Sequence, residues 1–91
     1  MSLNRYQKQR DENEPEIIDY FERCGFSVYR LDQPTDLLIG YNKRNYLVEV
    51  KMPDGKLTPK QERFTGSWKG QWIVISSIED AQQFADGVRL A

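Results

Sequence analysis

The chain has 91 residues, 30% charged and 38% hydrophobic, with 13 basic and 14 acidic side chains and a formal net charge of −1. This describes one small domain, and apolar runs such as Leu37 to Tyr41 and Trp72 to Ile75 fall far short of the roughly 20 residues that span a bilayer, so no membrane partner is expected. One cysteine, Cys24, excludes an internal disulfide, and the absence of histidine excludes Cys/His zinc sites, histidine-activated nucleophiles and imidazole bases, leaving carboxylates, lysine or a metal for any catalysis.

The opening residues, Met1 to Arg10, contain no apolar segment of the secretory kind, so a cytoplasmic location is expected. Residues 1 to 11 are polar, with Leu3 and Tyr6 as apolar anchors, and predict a helical extension or a loose arm. Asn13-Glu14-Pro15-Glu16 then reads as a helix start, with Asn13 as cap, Pro15 in the first turn and acids at the positive end of the dipole. Ile17, Ile18, Phe21 and Cys24 form an apolar stripe and Gly25 follows it, which predicts a helix over residues 12–24. Phe26 to Leu31 alternates with period two and predicts a strand, closed by Asp32, Gln33 and Pro34.

Residues 36–41 predict a second strand, Asn42-Lys43-Arg44-Asn45 a hairpin turn, and residues 46–51 a third strand antiparallel to the second. After a Pro/Gly loop, Thr58 is the expected cap of a second helix, with Pro59 first, Glu62 reaching back, and Gln61, Phe64 and Trp68 carried on it. Residues 72–76 predict a fourth strand, and residues 78–84 a short closing helix capped by Ser76 or Ser77. The order αβββαβα makes this an α/β unit. A helical crossover between the third and fourth strands makes that pair parallel, so the sheet is expected to be mixed and flanked by helices. A chain of this length buries only about 60–65% of its unfolded surface, and oligomerisation would enlarge its core.

Charge is unevenly placed. Residues 11–22 hold six acids and no base, whereas residues 43–69 carry a local balance of +4 through Lys43, Arg44, Lys51, Lys56, Lys60, Arg63 and Lys69. Such a stripe suits phosphates, although on charge alone a solvated face is the commoner meaning of such a run. In the third strand, Glu49 and Lys51 share one face because strand side chains alternate. The hairpin brings Asp36 toward both. Advancing about 100° per residue along the first helix sets Glu14 among Ile17, Ile18 and Phe21, and turns Glu16 to solvent. Each acid has an ordinary reading too: Glu14 as a first-turn acid, Asp36 as a turn acid, Glu49 as a solvated strand residue. Taken together, three carboxylates beside one lysine would repel unless a cation lay between them, and hard oxygen donors suit Mg²⁺ or Mn²⁺. The chemistry that follows is phosphodiester hydrolysis, with Lys51 orienting water or stabilising the pentacovalent charge.

At these residues the chain resembles the PD-(D/E)xK nuclease superfamily: Pro34-Thr35-Asp36, twelve intervening residues, then Glu49-Val50-Lys51. More narrowly, Asn13 to Ile17, Asp36 to Gly40, Tyr46 to Lys51 and Leu57 to Gln61 look like the small phage-type nucleases of the virus-type replication-repair (VRR-NUC) group, over nearly the whole chain. The resemblance implies a restriction-endonuclease-like core and a Mg²⁺-dependent cut in DNA, with Mn²⁺ as substitute and no small-molecule cofactor. It implies Asp36, Glu49 and the main-chain carbonyl of Val50 as metal ligands, Glu14 as the helix acid at the metal, Lys51 as catalytic, and Gln61 beside the site. It further implies a homodimer acting on branched or Holliday-junction DNA in a bacterial or phage-infected cell. Thr35 departs from the pattern, since many relatives place Pro directly before Asp.

Other readings stay open: a flap- or nick-directed nuclease, a non-catalytic nucleic-acid-binding module on the same fold, and a protein-interaction domain, the last in keeping with the near-zero net charge. Lys43, Arg44, Lys56, Lys60, Arg63 and Lys69 are candidate phosphate contacts, and Tyr6, Tyr29, Tyr41, Trp68 and Trp72 are candidate stacking or packing residues.

Overall fold

The computed structural model describes residues 10–90, so the extension or arm expected at the start, Tyr6 included, lies almost wholly outside the described residues. The elements are α1 (Glu14–Arg23), β1 (Ser27–Arg30), β2 (Leu37–Tyr41), β3 (Arg44–Val50), α2 (Pro59–Ser67), β4 (Trp72–Ile75) and α3 (Ile78–Leu90). Their order is the expected αβββαβα. The strands make one sheet in the order β1-β2-β3-β4, antiparallel from β1 to β3 and parallel between β3 and β4. The parallel pair is the one joined through a helix, because strands running the same way need a crossover to return the chain.

α1 forms where the apolar stripe demands it. Ile17 and Phe21 are fully buried and Glu16 is exposed, and burying each apolar side chain contributes about 1.5–3 kcal/mol. Gly25, at φ 93°, turns the chain out of the helix in a conformation that a Cβ disfavours. The start differs from expectation. Asn13 stands at the N-cap position but makes no side-chain cap bond. Its amide instead donates to Lys51 O at 2.9 Å and Ser76 O at 3.1 Å. Two carbonyls just beyond β3 and β4 meet the helix start, and a carboxamide has two donors for them.

Three further details differ from expectation. The hairpin turn is only Asn42 and Lys43, both at positive φ (52° and 65°), so Arg44 and Asn45 belong to β3. Two-residue turns of this hand match the twist of the flanking strands. The α2 capping box uses Gln61 rather than Glu62: the Thr58 hydroxyl accepts from Gln61 N, and Gln61 Oε1 accepts from Thr58 N. With Pro59 first, the third helical residue is Gln61, one short of Glu62. Finally, α3 continues past residue 84 to Leu90. Ala81 and Ala85 are buried, with Phe84 and Val88 packed on the same core, and that burial outweighs the roughly 1 kcal/mol cost of Gly87 in a helix. Its start follows expectation, with Ser77 Oγ accepting from Asp80 N.

The sheet has two unlike faces. Leu37, Ile39, Tyr46, Val48, Val50 and Ile75 line the core face beneath α1 and α3, where Phe84 meets Tyr46 edge-on and Phe21 lies against Phe26. Glu49 lies on the opposite face, where α2 reaches it through Gln61. Among the described residues, no helix is long and apolar enough to cross a membrane.

Candidate functional site

The β2–β3 register pairs Leu37 with Val48, so one step further sets Asp36 opposite Glu49 on the face away from the core. Both are buried, at 4% and 2% exposure. Asp36 is oriented by the strand it faces, its Oδ2 accepting the Val50 N–H at 2.8 Å. Thr35, the extra residue before it, is also buried and donates its hydroxyl to Leu37 O at 3.2 Å. The insertion therefore serves to lead the chain into β2.

Glu49 is gripped from two sides. Gln61 Nε2 donates to its Oε2 at 2.6 Å, and the Lys51 ammonium lies 3.8 Å from the same oxygen. Lys51 is Glu49's neighbour two residues along the strand, as alternation requires. Gln61 reaches across because its own carbonyl oxygen is fixed by the capping box, which aims the amide nitrogen at β3. One side chain thus caps α2 and docks it on the acid.

Glu14 is fully buried, as its place on the helix stripe requires, but its partners are guanidinium groups. Arg10 Nη1 lies 3.0 Å and Arg30 Nε 3.2 Å from its Oε2, while Oε1 is buried without a hydrogen-bond partner among the described residues. Burial raises the Glu14 carboxyl above the usual carboxylate range; Arg10 opposes this, the Asp36 charge adds to it, and Arg30 again opposes it. Arg10 does more than balance charge. Nη1 also donates to Asp36 O at 3.2 Å, Nη2 donates to Leu31 O at 2.8 Å, and Nη1 stands 3.9 Å from Asp36 Oδ1. It closes the connection between β1 and β2 over the acid.

The structure therefore brings Asp36, Glu49, Lys51 and Gln61 together. Glu14 comes beside Asp36, with Arg10 shared between them. The expected closed cluster of three carboxylates is not built: among the described residues, no group of three or more His, Cys, Asp or Glu side chains stands ready to hold a metal ion. The reason is electrostatic, since a buried acid needs a compensating charge and Glu14 has two guanidinium groups. The remaining donor set still fits Mg²⁺, which is usually held by one or two carboxylates together with water and substrate phosphate, not by an all-protein cage. Asp36, just before β2, and Glu49 of β3 supply two buried carboxylates, and Val50, whose N–H binds Asp36, can add its carbonyl. Arg10 and Arg30 belong to no sequence motif, and Asn13, read as a helix cap, instead holds two strand-end carbonyls. The one available signal is spacing, because Arg10 precedes the inward-facing Glu14 by one helical turn. No protein-family model, curated protein or solved structure matches the chain.

Proposed function

We propose that the protein is a Mg²⁺- or Mn²⁺-dependent, structure-selective DNA endonuclease with a PD-(D/E)xK core of the VRR-NUC type. The observation that carries this reading is the placement of buried Asp36 against buried Glu49, with Lys51 on the same face. Asp36, Glu49 and the Val50 carbonyl would hold the metal, which when bound would supply a Lewis acid for the phosphate and lower the pKa of a water. Lys51 places positive charge where the pentacovalent phosphate develops its negative charge. Gln61 holds the Glu49 carboxylate in one orientation through the 2.6 Å bond. Glu14 acts at one remove, by seating the Arg10 guanidinium against the backbone of Asp36. The substrate is branched DNA, and a homodimer would present two such sites to two strands of a junction.

One observation favours a second reading, a nucleic-acid-binding module without catalysis. Arg10, Arg30 and Lys51 together offset much of the charge of Glu14, Asp36 and Glu49 without a metal. Cleavage of a labelled four-way junction, a flap and a linear duplex with Mg²⁺ or Mn²⁺ separates the two, with the size-exclusion mass read alongside. The nuclease reading expects metal-dependent cutting of a branched substrate, a loss of at least about 100-fold in Glu49→Ala, and loss of turnover with metal affinity kept in Lys51→Ala. Binding of DNA without any cutting would establish the second reading.

A further inference from the structure

The face that carries the acids carries a second row one step along the strands. The registers pair Tyr29 with Leu38, Leu38 with Leu47, and Leu47 with Trp72, which is a continuous apolar row across all four strands. It lies two residues from the row of Asp36 and Glu49, about 6.6 Å along the sheet. The row is not sealed, since α2 contributes no buried residue and Tyr29 and Trp72 remain 69% and 36% exposed. What stands over it is a groove of about 590 Å³ whose walls include Pro34, Leu38, Leu47 and Trp68, with Lys43 and Arg44 also lining it and no acid among its lining residues.

The Trp68 indole is set deliberately in that wall. It stacks on Phe64 with ring centroids 5.3 Å apart and planes at 26°, yet stays 44% exposed. Gly70 makes the placement possible, because a Cβ there would come within 2.7 Å of Trp68 Nε1. An apolar floor, an indole in the wall and two cations without an acid describe a site for a flat, π-bearing, anionic ligand. A neutral peptide or a second apolar surface has no use for the cations. A nucleotide uses all three features, since its base stacks and its phosphate pairs.

We propose that this groove is a subsite for an unpaired nucleotide of a DNA strand, next to the phosphate that a metal at Asp36 and Glu49 would bind. The proposal rests on the nuclease reading for the position of the cleaved phosphate and gives that reading its substrate class, DNA with unstacked bases beside the cut. A paired duplex keeps its bases inside the stack and cannot fill the groove, whereas a bubble, a gap or the strand exchange point of a junction can.

The test is binding in EDTA at fixed salt, where no cleavage occurs and phosphate contacts are held constant. A duplex with a short central bubble and a fully paired duplex of equal length are each titrated into the protein. In a Trp72→Phe background, Trp68 is the reporting indole. The bubble is expected to bind about tenfold more tightly than the paired duplex and to quench Trp68 emission. By anisotropy of labelled DNA, Trp68→Ala should lose about tenfold for the bubble and little for the duplex, with Trp68→Tyr recovering most of the loss. Gly70→Ala, which keeps the indole but displaces it, should lose affinity in the same direction. Equal affinity for the two DNAs, or full bubble affinity in Trp68→Ala, overturns the proposal. Stacking in a protein that cuts nothing with Mg²⁺ would keep the subsite and remove the nuclease reading. Metal-dependent cutting of a branched substrate without any Trp68 effect would do the reverse.

Discussion

Arg10 shows how much a single side chain outside any regular element can organise. Its guanidinium joins the approach to α1, the end of β1 and the acid that precedes β2 through bonds to Glu14, Leu31 O and Asp36 O. Arg10→Ala leaves Glu14 with Arg30 alone and frees the connection between β1 and β2, a loss of about 2–3 kcal/mol on urea unfolding near neutral pH. Arg10→Lys should recover less than half of it, because one ammonium cannot serve two carbonyls and a carboxylate set around a planar fork. A lysine variant as stable as the parent would show that only charge is needed. Glu14 itself gives a pH signature. Its folded pKa is raised above 4.5, chiefly by burial. Its contribution to stability is therefore fully present below that value and is lost as the pH rises through the folded value, where a buried carboxyl must ionise. Measured as the Tm of Glu14→Gln minus that of the parent, the difference should grow more positive from about pH 4.5 toward neutral. A difference that grows more negative would mean that the two guanidinium groups outweigh burial.

At the scale of elements, α1 is fixed by its start as much as by its stripe. The Asn13 amide holds Lys51 O and Ser76 O, where the chain leaves β3 and β4, against the helix N-terminus. A capping role predicts that Asn13→Asp is harmless, since aspartate caps as well as asparagine. The observed role predicts the opposite, because an ionised carboxylate is acceptor-only and would face two carbonyl oxygens. Asn13→Asp should thus be the less stable of the pair Asn13→Asp and Asn13→Ala, with Ala costing about 1–2 kcal/mol. Chemical denaturation of the two variants decides it. Asn13 also marks the limit of what the sequence makes legible. Local signals placed every element: the stripe from Ile17 to Phe21, the positive-φ turn at Gly25, the hairpin between two apolar runs. They missed wherever a long-range partner overruled a local preference. Asn13 turned to strand-end carbonyls, and α3 ran through Gly87 because Val88 still packs on the core. Glu62 lost its capping role to Gln61 through a count of one residue.

Across the whole molecule the same division separates the halves of the candidate site. Asp36, Glu49 and Lys51 were legible because strand alternation and one hairpin bring them together, and Glu14 was legible as inward-facing by helix periodicity. Arg10 was legible only as a residue one helical turn before Glu14, and its bond to Asp36 O, 26 residues away in sequence, has no local signal. The fold also distributes its stability unevenly. α1 and α3 bury Ile17, Phe21, Ala81 and Ala85, whereas α2 buries no residue and meets the sheet through the bond from Gln61 to Glu49. Local opening is cheapest where little apolar surface is lost, so the amides of Pro59–Ser67 that are hydrogen-bonded should exchange at least about tenfold faster than those of α1 and α3. Each opening takes Gln61 away from Glu49 and Trp68 away from the groove, so on the proposed reading α2 is the element that bound DNA would order. Bubble DNA added in EDTA should therefore slow exchange in α2 and leave α3 nearly unchanged. Equal exchange in all three helices of the free protein would mean that α2 is held by packing beyond its bond to Glu49, and that the acid pair and the groove are rigid before DNA arrives.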